Sequence, residues 1–394
     1  MVKYIIISKE VKKILLYFSV GGFCSFKEVQ DLFLTAYLGT RLKNTKYEKN
    51  FYIDKTNRVM KSAIIFGANA SGKTNIILGL ERLKDIIFNG INLPKDFNEK
   101  NLNYDSNTIK FEIGILDKKE NTYDYSIEFQ RDKLIYEKLE CNDKVIYEFK
   151  DDTLSSKKLP KEVNKIFSII LTETILKKLR DFQIEEIIDF ILSLEEIKIR
   201  RNRGINYESK DTPNPISENI KLRLEDKKEE VLQIIKLLDY TIEDLKFEKL
   251  GTFNNEIVYD IYFLREKSKN KFYLGNESEG IRKIINLMLD LLEVYEGKTF
   301  VIDELDSSIS TISLIKLFNN FINVDSNIKG QLIVTSHNLF LFDNNIFEPQ
   351  QIYIVNKKED LSSELYSLAK FKIRSEKENL YHDFLKGKYG GING

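Results

Sequence analysis

The residues best suited to chemistry in this sequence stand in four short segments. The first is Gly67-Ala68-Asn69-Ala70-Ser71-Gly72-Lys73-Thr74, a match to GxxxxGK[ST]. Its glycines let the backbone turn tightly, so that N–H groups converge on phosphate oxygens at the positive end of a following helix. Lys73 would reach β- and γ-phosphates, and the Thr74 hydroxyl would bind Mg²⁺. Asn75, directly after the loop, is grouped with its nucleotide contacts. The second segment, Thr299-Phe300-Val301-Ile302-Asp303-Glu304, is an apolar run ending in two carboxylates. Asp303 suits a water-mediated Mg²⁺ contact, and Glu304 suits the base that orients or deprotonates an attacking water. The third is Thr335-Ser336-His337-Asn338, again at the end of an apolar run. His337 lies one strand after the acidic pair, where a γ-phosphate sensor would sit. In the fourth, Leu274-Gly275-Asn276-Glu277-Ser278-Glu279-Gly280, Ser278 and Gly280 at a helix start form an anion site or a plain N-cap. The catalytic candidates are thus Lys73, Glu304 and His337, and the metal candidates Thr74 and Asp303.

These groups need elements to hold them. Lys61–Phe66 reads as a short buried strand that runs into the glycine loop. Residues 74–88 then show helical periodicity through Ile76, Ile77, Leu80, Leu83 and Ile86. Ile14–Phe26 reads as a strand and turn broken at Gly21-Gly22. Residues 108–149 alternate apolar with polar side chains and predict an antiparallel sheet. Residues 161–199 and 217–247, rich in Ile, Leu, Glu and Lys, predict helices around a loop at 200–216. Alternation returns at 255–264. A helix at 279–295, strands at 299–303, 331–335 and 351–355, and a helix near 311–321 complete the pattern. Strand–helix alternation on both sides of a helical stretch predicts an α/β domain split by an insertion. The expected division is an extension over 1–13, a first domain part over 14–157, a helical insertion over 158–250 and a second part over 251–394.

Composition narrows the classes. Hydrophobic residues make up 42% of the 394, enough for a sizeable core. The 61 basic and 61 acidic residues cancel, so overall charge argues for neither a nucleic-acid nor a membrane partner. Cys24 and Cys141 form no CxxC pair, which argues against a zinc hook and fits a reducing cytoplasm. No apolar run is long enough to cross a membrane, and the N-terminus lacks a signal-peptide pattern. Lys198, Arg200, Arg201 and Arg203 form the one dense basic run, read as a solvated loop with a phosphate-backbone contact as the sharper alternative. With two histidines, and no TOPRIM-like carboxylate pattern after Asn338, a nuclease centre within the chain is not expected.

The order of the four segments is the layout of ABC-class ATPases. The sequence resembles the stand-alone ABC/SMC-type ATPases of bacterial abortive-infection and restriction-linked loci, the RloA-like proteins related to the ATPase half of the OLD proteins. The opening YFSVGGFCSFKE is similar to that family's first strand. GANASGKTN, ESEG, VIDELDSS, TSHN and QIYIV follow in order, and the tail SLAKFKIR … GKYGG resembles the family's ending. The resemblance implies an α/β fold: an ABC-type P-loop ATPase domain with an antiparallel β subdomain and an inserted helical subdomain. It implies a homodimer or higher even oligomer that sandwiches ATP and Mg²⁺. Ser278 and Gly280 of one chain would meet the γ-phosphate held by the other, with Asp306 and Ser307 at the seam. It also implies a cytoplasmic anti-phage role beside a separate TOPRIM-like nuclease or toxin. Departures are Ile281 after Ser278-Glu279-Gly280, Ile309-Ser310-Thr311 in place of a His-Pro, Lys370 for an Asp and Asn393 for a Pro. No glutamine loop can be placed, Gln130 at a strand end being as well explained by the surface. A RecF/SMC-like repair ATPase and an ATP-gated scaffold with little turnover are the alternative readings.

Overall fold

The computed structural model describes residues 14–391 apart from 38, 54–57, 90–101, 131–132, 160–173, 202–214, 254, 308, 328–329 and 374–378. The extension expected over 1–13, Arg203 and Asn393 lie outside the described residues.

Three of the apolar runs become neighbouring strands of one sheet. Its order is Lys198–Arg200, Thr299–Ile302, Gln331–Thr335, Ser62–Phe66, Ile352–Lys357 and Ser363–Ser367. The first five strands are parallel and the last is antiparallel. Strands buried on both faces read as unbroken hydrophobic runs, and every residue of Ser62–Phe66, Thr299–Ile302 and Gln331–Thr335 is buried. Alternate side chains go to opposite cores. Ala63, Ile65, Val301, Ile333, Tyr353 and Val355 join one cluster. Ile64, Phe66, Phe300, Ile302, Leu332, Val334, Ile352 and Ile354 join the other.

The first core lies between this sheet and a second, antiparallel sheet of seven strands. Its order is Thr153–Ser155, Lys144–Lys150, Lys133–Cys141, Thr122–Gln130, Ile109–Leu116, Ile14–Gly21 and Gln30–Phe33. The helix Lys73–Asn89 fills that core with Ile76, Ile77, Leu80, Leu83 and Ile86, the residues its periodicity singled out. On the outer sheet, buried Glu137 accepts hydrogen bonds from the Tyr125 and Tyr147 hydroxyls and from the Ile175 and Leu176 amides. It thereby pins the short helix Ile175–Leu179, and burial pushes its carboxyl up.

The second core holds the helices Lys228–Leu238 and Glu279–Tyr295 and a hairpin of Ile242–Phe253 with Glu256–Arg265. Here the structure departs from expectation. The helical stretch expected to reach residue 247 ends at Leu238, and a strand begins at Ile242. Leu, Lys and Glu are good helix formers, but the strand partner Glu256–Arg265 overrides that preference. Likewise the stretch expected to be helical to 199 ends at Glu195, and Lys198–Arg200 joins the parallel sheet beside Phe300–Ile302. The helix near 311–321 is α-helical over Thr311–Leu317 and continues as a π-turn over Phe318–Ile322. The fold is α/β: a parallel sheet with one antiparallel edge strand, an antiparallel seven-stranded sheet over one face, and helices with a β-hairpin over the other.

Candidate nucleotide site

The parallel topology sends the loops after three adjacent strands to one edge of the sheet. After Ser62–Phe66 comes the glycine loop, after Thr299–Ile302 the acidic pair, and after Gln331–Thr335 the histidine. Ligands of open α/β sheets bind beyond the carboxyl ends of strands. A cavity of about 360 Å³ opens there, lined by residues 69–75 together with Glu304 and His337. Three of the four segments, far apart in sequence, meet at this cavity.

The loop is held from behind. Gly72 has φ +110°, and a Cβ there would meet Ser25 Oγ and Ser363 Oγ at 2.6 Å. Ser363 Oγ donates to the Ser71 carbonyl (2.5 Å), and Asn75 Nδ2 donates to Ser25 Oγ (2.8 Å). The Ala68 amide donates to the Gly391 carbonyl (3.2 Å), so the GKYGG tail also backs the loop. Asn75 therefore serves the scaffold as well as the cavity wall. Lys73 Nζ donates to the Gly67 and Ala68 carbonyls at 2.7 and 2.9 Å. Burial pushes its ammonium below the usual lysine range, while the carboxylates of Asp303, Glu304 and Asp306 oppose that shift.

The acidic pair and the histidine strand are joined by Thr335, a residue of the third segment to which its sequence context assigns no role. Thr335 is fully buried. Its hydroxyl donates to Asp303 Oδ1 at 2.5 Å and accepts the Glu304 amide at 2.8 Å. Asp306 Oδ2 accepts the His337 amide (3.0 Å), and His337 Nε2 stands 3.7 Å from Glu304 Oε1. Glu304 itself has φ +51°, a left-handed conformation that costs a non-glycine residue about 1–2 kcal/mol. Residues in such conformations cluster at functional sites.

A nucleotide with its metal fits these residues. Ser71 Oγ is buried in the loop without a hydrogen-bond partner. At the start of the helix Lys73–Asn89 the Asn75 amide donates to the Gly72 carbonyl at 3.0 Å, and the amides of Lys73 and Thr74 precede any intrahelical acceptor. The Thr74 side chain is exposed at the cavity wall. Among the described residues, no group of three or more His, Cys, Asp or Glu is arranged to hold a metal by itself. Mg²⁺ is often held by one or two carboxylates together with substrate phosphates. Of the two residues expected to hold it, Thr74 lines the cavity and Asp303, bonded to the Thr335 hydroxyl, stands outside its wall.

Gly67, Ala68, Asp303, Asp306, Ser278 and Gly280 do not line the cavity. Ser278 is the N-cap of Glu279–Tyr295, its hydroxyl accepting the Ile281 amide at 3.4 Å. The turn before it is fixed by Arg265, whose guanidinium takes both oxygens of Glu277 at 2.6 and 2.9 Å and also Asp239 at 2.9 Å. Gln130 is exposed at the end of an outer-sheet strand, away from the cavity. The basic run is engaged within the chain: Arg200 pairs with Asp290, Arg201 with Glu81 at 2.7 Å, and Lys198 Nζ donates to the Glu195 carbonyl. No described helix is long and apolar enough to cross a membrane.

Comparison with known proteins places this arrangement. No curated protein matches the sequence. Among solved structures, similar chains include the "SmcHead bound to the C-winged helix domain of ScpA", at 14% identity and TM-score 0.48, covering 90% of this chain and 97% of that one. The SMC head domain from Thermotoga maritima is 15% identical with TM-score 0.46, over 91% and 99% of the two chains. The Smc head domain from Pyrococcus yayanosii is 10% identical with TM-score 0.49, over 95% and 99%. These likenesses are too distant to speak to function. A family model matches from the first residue of the strand before the glycine loop to beyond His337, residues 62–343, and this chain belongs to that family, described as "AAA domain, putative AbiEii toxin, Type IV TA system".

Proposed function

We propose that this protein is a Mg²⁺-dependent ATPase of a bacterial anti-phage system, which dimerises around ATP and controls a separate nuclease or toxin. The observation that carries the enzymatic part is the single cavity shared by the glycine loop, Glu304 and His337. In this reading the loop amides and Lys73 grip the β- and γ-phosphates. Lys73 leaves the Gly67 and Ala68 carbonyls to do so. Thr74 and Asp303 would hold Mg²⁺, which when bound would neutralise charge on the phosphates. Glu304 orients the attacking water and accepts its proton, and His337 contacts the γ-phosphate side of the cavity. Asn69, Ala70 and Asn75 complete the wall. Ser278 and Gly280, exposed or half-buried and away from their own chain's cavity, are available to a partner's nucleotide, with Asp306 at the seam.

The defence role rests on the resemblance of the tail and motifs, and is in keeping with the toxin–antitoxin label of the family. Turnover and nucleotide binding by wild type, Lys73→Ala and Glu304→Gln test the enzymatic part. Lys73→Ala should lose binding, and Glu304→Gln should bind and dimerise without hydrolysis. Wild-type turnover in Glu304→Gln would refute its assignment as the base. Phage plating on cells carrying this gene with its chromosomal neighbour, wild type against Lys73→Ala, tests the role. Equal plating across a broad phage panel would reject it.

A further inference from the structure

The backbone of Glu304 is held on both sides of its residue by hydrogen bonds. Its amide is held by the Thr335 hydroxyl at 2.8 Å, and the next amide, of Leu305, donates to the Thr335 carbonyl at 3.3 Å. The Glu304 carbonyl, in the same planar peptide as the Leu305 amide, is held on the opposite side. It accepts the Ser307 amide at 3.2 Å and, from another element, the ammonium of Lys283 at 3.0 Å. The same ammonium donates to the Ser307 carbonyl at 2.5 Å.

Lys283 lies on the helix Glu279–Tyr295, little more than one turn past its N-cap Ser278. Ile281, Ile284, Ile285 and Met288 seat that helix in the core, so the Lys283 stem leaves a rigid base. Burial pushes the Lys283 ammonium down, while the carboxylates of Asp306, Glu304 and Glu279 oppose the shift. A charged donor shared by two carbonyls forms strong, short hydrogen bonds. It also favours a left-handed residue that would otherwise relax, swinging the carboxylate with it.

We propose that Lys283 is a positioning residue: its ammonium clamps the Glu304 and Ser307 carbonyls, aims the Glu304 carboxylate into the cavity, and ties that aim to the helix that begins at Ser278. The proposal rests on the ATPase reading for its catalytic half. A shift of the Ser278 end of the helix reaches Glu304 through one side chain, with no need for the rest of the sheet to move.

The test compares Lys283→Met, which keeps the stem and removes the donors, with Lys283→Arg, which restores a cation able to serve two carbonyls. Lys283→Met should lower kcat at least about tenfold, the loss expected for two charge-assisted bonds to a catalytic segment. KM and the affinity for a fluorescent ATP analogue should stay within about twofold, because the loop amides and Lys73 are untouched. Lys283→Arg should recover most of kcat. In the nucleotide-free proteins, amide hydrogen exchange over residues 303–309 should be at least about fivefold faster in Lys283→Met than in wild type. Equal exchange in the two proteins, or equal kcat while the wild type turns over, would overturn the proposal. So would a joint loss of thermal stability and affinity that arginine does not rescue, the mark of a merely structural lysine. Absence of turnover in the wild type would instead refute the ATPase reading and the catalytic half with it, leaving the exchange measurement to decide the clamp.

Discussion

Replacing Thr335 with valine removes one hydroxyl and almost no volume, so its effect can be worked from two hydrogen bonds. The bond to Asp303 Oδ1 (2.5 Å) is charge-assisted and contributes about 1.5–3 kcal/mol. The Glu304 amide, held at 2.8 Å, is left facing a methyl group, which costs about 1–3 kcal/mol where water cannot reach it. The two losses share one hydroxyl and are not additive, so a total of about 3 kcal/mol is expected. Thr335→Ser keeps the hydroxyl and gives up a buried methyl, at about 1 kcal/mol. Urea unfolding should show a lower midpoint with unchanged slope for Thr335→Val and a small shift for Thr335→Ser. Mg²⁺-dependent ATP turnover should fall at least about tenfold in the valine protein, because the Asp303 carboxylate and the Glu304 backbone lose their shared anchor, and stay near wild type in the serine protein. A valine variant as stable and as active as the serine variant would refute the reasoning.

Gly72→Ala should weaken nucleotide binding at least about tenfold and lower stability by about 2 kcal/mol, since φ +110° and the serine oxygens at 2.6 Å both exclude a Cβ; titration with a fluorescent nucleotide and a thermal melt check it. Arg265→Lys replaces a two-pronged grip on Glu277 by a point charge. It should lower turnover several-fold while single-chain nucleotide affinity holds, and an unchanged steady-state rate would contradict it. Lys61, whose Nζ donates to the Val324 carbonyl, is pushed down by burial to about 8 from 10.5. The unfolded chain therefore binds more protons between those values, and the wild type gains stability as pH rises from 8 to 10.5. Below pH 8 the buried charge costs at most about 3 kcal/mol, offset in part by about 1 kcal/mol from its hydrogen bond. Lys61→Met should be the more stable protein at pH 7 and lose that advantage by pH 10.5; parallel melting profiles across this range would reject the assignment.

Much of this architecture was legible because the parallel strands are buried on both faces. Ser62–Phe66, Thr299–Ile302 and Gln331–Thr335 announce themselves as apolar runs, and the segments that follow them meet at one cavity. The helix Glu279–Tyr295 has a period strong enough to mark both its ends. What escaped notice depends on partners distant in sequence. Thr335 and Lys283 look like an ordinary strand end and an ordinary helix lysine until Asp303 and Glu304 are beside them. Ser25, Ser363 and Gly391 support the glycine loop from three separate places, which no local pattern encodes. The strand Ile242–Phe253 is composed largely of residues that also suit helices, and only Glu256–Arg265 decides the matter. Arg200 ends a strand where a solvated loop was expected and pairs with Asp290 while still exposed, and Arg201 pairs with Glu81.

The strand Ser62–Phe66 lies between Gln331–Thr335 and Ile352–Lys357, and the loop it feeds leans on Ser363 and Gly391. A ribosome adding roughly 5–20 residues per second takes on the order of tens of seconds to travel from the first of these to the last. Throughout that interval the nascent strand has neither of its sheet neighbours, and its five apolar or small residues must be shielded by other means. Nucleotide gives no help, because a ligand stabilises only a site already formed. A chain interrupted before Gly391 would carry the loop without the carbonyl that receives the Ala68 amide.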